Sequence, residues 1–198
     1  MEGVSDDDQQ EAHAPLPARG VPSRRTTTRA LLVAAGFGAI GAVVLGIASP
    51  LTTALAVTYP PAYAIVAGLH SILPFIARRV LGFDWAATLV GAFVGLLSVG
   101  FTPLGVLIVV PLTLGSAAFD ATLFLLRRRG ALGESASVWA AGASAVVLYV
   151  VSLPVMSAEH LAPVFLVLTF LGRIIGQLGA VGIALLVATR LRRAGIRS

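Results

Sequence analysis

The chain has 198 residues, 57% of them apolar and only 12% charged. Soluble domains carry about 25% charged residues, so these proportions exclude an ordinary water-soluble globule and point to a polytopic membrane protein. All fourteen basic residues are arginines, and cysteine is absent, which removes disulfides, thiol catalysis and cysteine-ligated metals. The formal charge of +5 does not imply nucleic-acid binding, because the arginines cluster at the ends of apolar runs, as positive-inside topology requires.

Residues 1–28 read as a separate disordered cytoplasmic tail. Asp6, Asp7, Asp8 and Glu11 make it acidic, Pro15, Pro17, Gly20 and Pro22 oppose helix, and it has almost no apolar content. Arg24, Arg25 and Arg29 then stand before a long apolar stretch. A twin-arginine or secretory signal is the rival reading, but the apolar run exceeds the 7–15 residues of a signal core, so a first transmembrane helix fits better. Residues 29–198 form the transmembrane domain.

Helix 1 is expected over about Ala30 to Ala48. Ala34, Gly38, Ala42 and Gly46 recur every fourth residue, and Ala35 and Ala39 widen the stripe. Such a face lets backbones approach closely in lipid, either against the protein's own helices or against a partner. Ser49 to Pro61 reads as a turn, because Pro50 and Tyr59-Pro60-Pro61 are poor helix interior. Helix 2 spans about Ala62 to Ala77, with Pro74 as a kink site and His70 as its only ionisable group, and it stops at Arg78-Arg79. Trp85 closes a short loop as an interfacial anchor.

Helix 3 covers about Ala86 to Phe101, with Gly91-xxx-Gly95 as a second close-packing face. Thr102-Pro103-Leu104-Gly105 is a turn. Helix 4 runs to Leu126 and ends at Arg127-Arg128-Arg129; its Asp120 has two candidate partners, Arg173 and Arg127. Helix 5 covers about Ala136 to Met156, and Ser157 to His160 form the following loop. Helix 6 begins near Pro163, a residue suited to a first helical turn. The last apolar run, Leu161 to Thr189, holds a single charge, Arg173, at a depth where an arginine costs about 2.5–3.5 kcal/mol on insertion scales. Gln177 lies four residues on, on the same helix face. The expected fold is therefore an all-α bundle of six transmembrane helices. Every arginine cluster falls on one side, which puts both termini in the cytoplasm.

Catalytic signatures are missing. Without lysine no Walker A loop can form, and neither H-E-x-x-H nor G-x-S-x-G occurs. Neither a catalytic set nor a metal site is assigned. What remains is an outer mouth, near which Tyr59, Tyr63, Phe101, Tyr149, Glu159, His160 and Phe165 fall; Tyr59, Tyr63, Tyr149, Glu159 and His160, with His70, Arg173 and Gln177 deeper, are the candidate substrate-binding residues. Aromatic rings and one carboxylate suit a flat, cationic or polar heteroaromatic ligand.

The middle of the chain resembles a known family. Thr58-Tyr59-Pro60-Pro61, Gly68-Leu69-His70, Leu73-Pro74, Ala77-Arg78-Arg79, Gly91 to Ser98, Thr102-Pro103-Leu104-Gly105 and Pro111-Leu112-x-x-Gly115 are similar to the substrate-binding S-component of energy-coupling factor (ECF) vitamin transporters, especially the YkoE-like branch linked to thiamine and hydroxymethylpyrimidine. The resemblance covers about residues 30–189. It implies a plasma-membrane subunit that captures a vitamin, binds no cofactor, and docks on a transmembrane T-component with two ATPases that use ATP. It also implies docking through the Ala-xxx-Ala face of helix 1: Ala30, Ala34, Ala35, Gly38, Ala39, Ala42 and Gly46. Arg173 and Asp120 depart from an outer pocket and read as a structural ion pair. Two other classes stay open: a membrane scaffold without ligand, and a membrane-embedded enzyme using His70, Asp120 and Arg173.

Overall fold

The computed structural model describes residues 28–130 and 133–194. The expected acidic tail and Arg197 lie outside the described residues. Among the described residues seven α-helices follow in chain order: α1 (Thr28–Thr58), α2 (Pro60–Val66), α3 (Leu69–Leu81), α4 (Ala86–Ser98), α5 (Val109–Arg128), α6 (Glu134–Ser152) and α7 (Pro163–Arg193). Five stretches are long and apolar enough to cross a membrane: Thr28–Thr58, Pro60–Leu81, Gly105–Arg128, Glu134–Val155 and Pro163–Leu191. The helix Ala86–Ser98 is apolar but shorter.

Several expected boundaries move: α4 ends at Ser98 rather than Phe101, α6 runs Glu134–Ser152 rather than from Ala136 to Met156, and two changes are larger. The turn expected over Ser49 to Pro61 is helix up to Thr58, so Pro50 lies inside α1. Proline removes the donor to the Gly46 carbonyl, four residues back, and membrane helices tolerate such a loss. The Thr52 hydroxyl, 3.1 Å from both the Ala48 and the Ser49 carbonyl oxygens, back-bonds acceptors beyond that gap. Helix 2, expected as one piece, is α2 and α3 joined at Ala67–Gly68. The joint is a tightened turn rather than a reversal: the N–H groups of Gly68, His70 and Ser71 donate to carbonyls three residues back, the 3-10 pattern.

Gly68 explains that joint. A Cβ placed there would lie 2.4 Å from the Gly176 carbonyl oxygen and 2.7 Å from its Cα. One turn earlier on α7, a Cβ on Gly172 would meet the Pro61 carbonyl oxygen at 2.6 Å. Glycines on α7 therefore let α2 and the start of α3 lie backbone against backbone, as small residues do between helices in lipid.

The helices close into a ring in which α1 packs on α4, α4 on α5, α5 on α6, α6 on α7, and α7 on α2, which returns to α1. α3 also meets α1, α4, α5 and α7, so it occupies the axis of the ring along half its length. That half is a dry core: Phe75 stacks on Phe119 with centroids 3.9 Å apart, beside Ile76, Leu123 and Val181. The arginine-rich segments gather at this end. Above His70 the axis is not filled by helix, and a cavity stands there.

The small-residue stripe of α1 divides between inside and outside. Ala34 is fully buried, and Gly38 and Ala42 are buried too. A Cβ on Gly38 would lie 2.5 Å from Phe93 Cβ of α4. These three belong to internal packing, not to an open docking face. Ala30, Ala35 and Gly46 are half-buried, and Ala39 is exposed.

Candidate functional site

The cavity has a volume of about 630 Å³, within the range of small-molecule pockets. Its walls come from the second half of α1, Pro60 and Tyr63 of α2, His70 of α3, the Thr102–Leu104 turn, the start of α5, the end of α6, the Ser157–His160 turn, and Thr169 and Arg173 of α7. None of the segments that frame its open end carries an arginine; Glu159 and His160 are the ionisable groups there. Most of the lining is aliphatic, including Leu45, Val57, Leu107, Ile108 and Leu148.

Four polar atoms of the lining are buried and, among the described residues, unsatisfied. His70 Nε2, Thr102 Oγ1, Thr169 Oγ1 and Arg173 Nε have no hydrogen-bond partner, and all four residues line the cavity. Buried polar groups in native proteins are nearly always paired. Four such atoms around one void give it polar positions that ordered water or an entering solute would satisfy.

Arg173 is only 5% exposed. Its guanidinium carbon lies 5.0 Å from the centroid of the Tyr63 ring, a cation–π arrangement. The glycine contacts place it: Gly172 and Gly176 hold α2 against α7, so Tyr63 of α2 comes under the side chain between them. One turn deeper, Gln177 is buried and fully engaged. Its Nε2 donates to Ser71 Oγ at 2.9 Å, and its Oε1 accepts from Ser144 Oγ at 3.4 Å. Gln177 braces α7 against α3 and α6 below the cavity.

The mouth is aromatic. His160 and Tyr59 both meet the Phe165 ring edge-on, at 5.6 and 6.4 Å, and Ser157 Oγ lies 2.7 Å from His160 Nδ1. Of the eight expected binding residues, the cavity gathers Tyr63, His70, Glu159, His160 and Arg173. Tyr59 is 46% exposed beside the mouth, Tyr149 packs edge-on against Phe170 at 5.2 Å, and Gln177 lies beneath; none of these three lines the cavity. Thr102 and Thr169 were not anticipated. Thr169 had a signal, since Thr169, Arg173 and Gln177 recur every fourth residue on one helix face.

Asp120 does not pair with Arg173 or Arg127. Its Oδ1 lies 2.9 Å from Arg78 Nε, and its Oδ2 accepts from the Thr88 N–H at 2.8 Å and the Thr88 hydroxyl at 2.9 Å. Arg78 also meets Asp84 at 2.5 Å and donates to the Phe83 carbonyl, and Arg127 reaches Asp84 at 3.3 Å. This network lies at the arginine-rich end and has no residue in the cavity wall. His70, Asp120 and Arg173 therefore do not assemble into one catalytic group. Among the described residues no cluster of three His, Cys, Asp or Glu side chains suits a metal ion.

A solved structure described as an S-component of an ECF transporter shares the fold. The match has a TM-score of 0.75 at 22% sequence identity, and covers 85% of this chain and 87% of the other. No protein-family model and no curated protein sequence matches the chain.

Proposed function

We propose that this protein is the solute-capturing membrane subunit of an ECF-type importer. It crosses the plasma membrane six times, with both termini in the cytoplasm and the cavity open to the outside. It takes up a small water-soluble vitamin or precursor, and a T-component with two ATPases supplies the ATP-driven step. Small residues on the outward side of α1, around Ala35 and Ala39, are the proposed docking contact. The observation that carries this reading is the cavity: about 630 Å³, at the arginine-free end of a fold shared with an S-component, with four buried polar groups unpaired around it.

Thiamine or hydroxymethylpyrimidine is the first substrate to try. Tyr63 offers a ring face, and Glu159 at the mouth suits a positive charge. The full chain in lipid nanodiscs, titrated with the B vitamins one at a time, tests the reading: tight binding of one of them is the expected result. Absence of binding across the set would instead favour a ligand-free scaffold.

A further inference from the structure

The cavity carries opposite charges at its two ends. Glu159 lies in the turn before α7 and is exposed. Arg173 lies ten residues beyond Pro163, so about 15 Å deeper along the helix, and is buried. A buried cation is tolerated when a carboxylate or another acceptor compensates it. The described residues hold four carboxylates, and none reaches Arg173. Asp84 and Asp120 are held by Arg78, Arg127 and Thr88. Glu134 is exposed in the first turn of α6, at the arginine-rich end. Glu159 stays at the mouth. Compensation of Arg173 is left to whatever enters the cavity, and the unpaired Thr169 hydroxyl and His70 Nε2 line the same space.

Resting on the capture function proposed above, we infer that the cavity selects its solute by polarity and sets its orientation. The solute enters with a planar acceptor edge, a carboxylate or the ring-nitrogen edge of a heteroaromatic, turned inward to Arg173. Any positive charge it bears stays outward, near Glu159. Arginine suits the inner role because its rigid planar fork donates two parallel hydrogen bonds to such an edge, whereas lysine offers a point charge. Tyr63 beneath the guanidinium fixes the plane. A quaternary ammonium without an acceptor edge has no place at the inner end.

The test uses the full chain in nanodiscs, with calorimetric titration of four probes: thiamine, neutral hydroxymethylpyrimidine, nicotinate and choline. The variants are Arg173→Met, Arg173→Lys and Glu159→Gln, each also unfolded thermally without ligand. We expect wild type to bind at least one of the three acceptor-bearing probes and not choline. Arg173→Met should weaken that probe about a hundredfold, with no recovery in Arg173→Lys. Glu159→Gln should weaken thiamine severalfold and spare the uncharged pyrimidine. Ligand-free Arg173→Met should melt at or above the wild-type temperature, because the buried charge it removes has no carboxylate partner among the described residues and methionine keeps the packing on Tyr63. Wild-type affinity in Arg173→Met or Arg173→Lys, or tight choline binding, overturns the inference and leaves the capture function standing. A lower ligand-free melting temperature in Arg173→Met, rescued by lysine, also overturns it, by making Arg173 a structural group. Failure of wild type to bind any probe removes this inference together with the capture reading for these solutes.

Discussion

Asp120 of α5 caps the start of α4 through Thr88. Thr88 is the third residue of that helix, its N–H has no intrahelical partner, and the Trp85 side chain at the N-cap position forms no capping bond. A carboxylate from another helix takes the place of a local cap and brings negative charge to a helix N-terminus, where the dipole favours it. The same carboxylate meets Arg78 at the end of α3. Three helices are therefore pinned by one side chain that is 2% exposed. Asp120→Ala leaves Arg78 Nε and the Thr88 N–H without their acceptor, while Arg78 keeps Asp84 and the Phe83 carbonyl, so it should lower stability by about 1–3 kcal/mol, the usual loss when buried donors go unsatisfied. Chemical unfolding in detergent micelles measures it. A loss below about 1 kcal/mol, the range of an exposed pair, would contradict the buried network.

Two glycines of α7, three residues apart, should respond in opposite directions to the same change. A Cβ on Gly176 would lie 2.7 Å from the Ile65 carbonyl oxygen and 3.0 Å from that of Ala64, both backbone atoms, whereas one on Gly179 meets nothing within 4 Å. Gly176→Ala must push α2 away and should cost about 1–3 kcal/mol. Because α2 carries Tyr63, ligand affinity should fall with it. Gly179→Ala should gain up to about 1 kcal/mol from helix propensity alone. Thermal unfolding of the pair side by side checks the contrast, and equal shifts would mean that α2 and α7 are not in backbone contact.

Most of the helices, and the common end of the described arginine clusters, were legible in the sequence, because apolar runs punctuated by arginine are what a bilayer demands. What the sequence concealed is pairing. Asp120 and Arg173 are the two charges inside apolar runs that look most in need of each other, yet Asp120 turns to Arg78, a residue that reads as an ordinary helix-end arginine. The choice depends on α3 lying at the axis of the ring, and no periodicity records that. Pro50 misled for a local reason: its missing N–H signals a break, while a membrane helix can run on through a proline at the loss of one hydrogen bond, as α1 does. Five of eight expected binding residues do converge on the cavity. Gln177 misses it by depth, since it shares the face of Thr169 and Arg173 but lies one turn below the cavity, whereas Tyr149 is turned toward Phe170 instead.

The stripe on α1 separates internal packing from docking. Ala34→Leu adds bulk at a fully buried position and should cost about 1–3 kcal/mol. Ala39→Leu, at an exposed position, should leave folding and solute binding unchanged. If the outward side of α1 is the contact for a T-component, Ala39→Leu combined with Ala35→Leu should abolish ATP-driven uptake in reconstituted vesicles while solute binding by the isolated chain persists. Uptake at the wild-type rate in the double variant would move the docking contact elsewhere.

Orientation in the bilayer is open to a direct chemical test, since the chain has no cysteine and any single cysteine is a clean label site. Arg129 and Ala158 are both exposed and lie at opposite ends of the bundle, just past α5 and just before α7. In the proposed orientation the three-arginine segment is cytoplasmic, and the turn containing Ala158 lies outside with the cavity mouth. On intact cells, a membrane-impermeant maleimide should label Ala158→Cys within minutes and leave Arg129→Cys unlabelled until the cells are opened. Because α6 crosses the bilayer between the two positions, they cannot both be labelled from outside in a single orientation. The reverse pattern would turn the cavity toward the cytoplasm, and uptake from outside would then need a different entrance from the one flanked by Glu159 and His160.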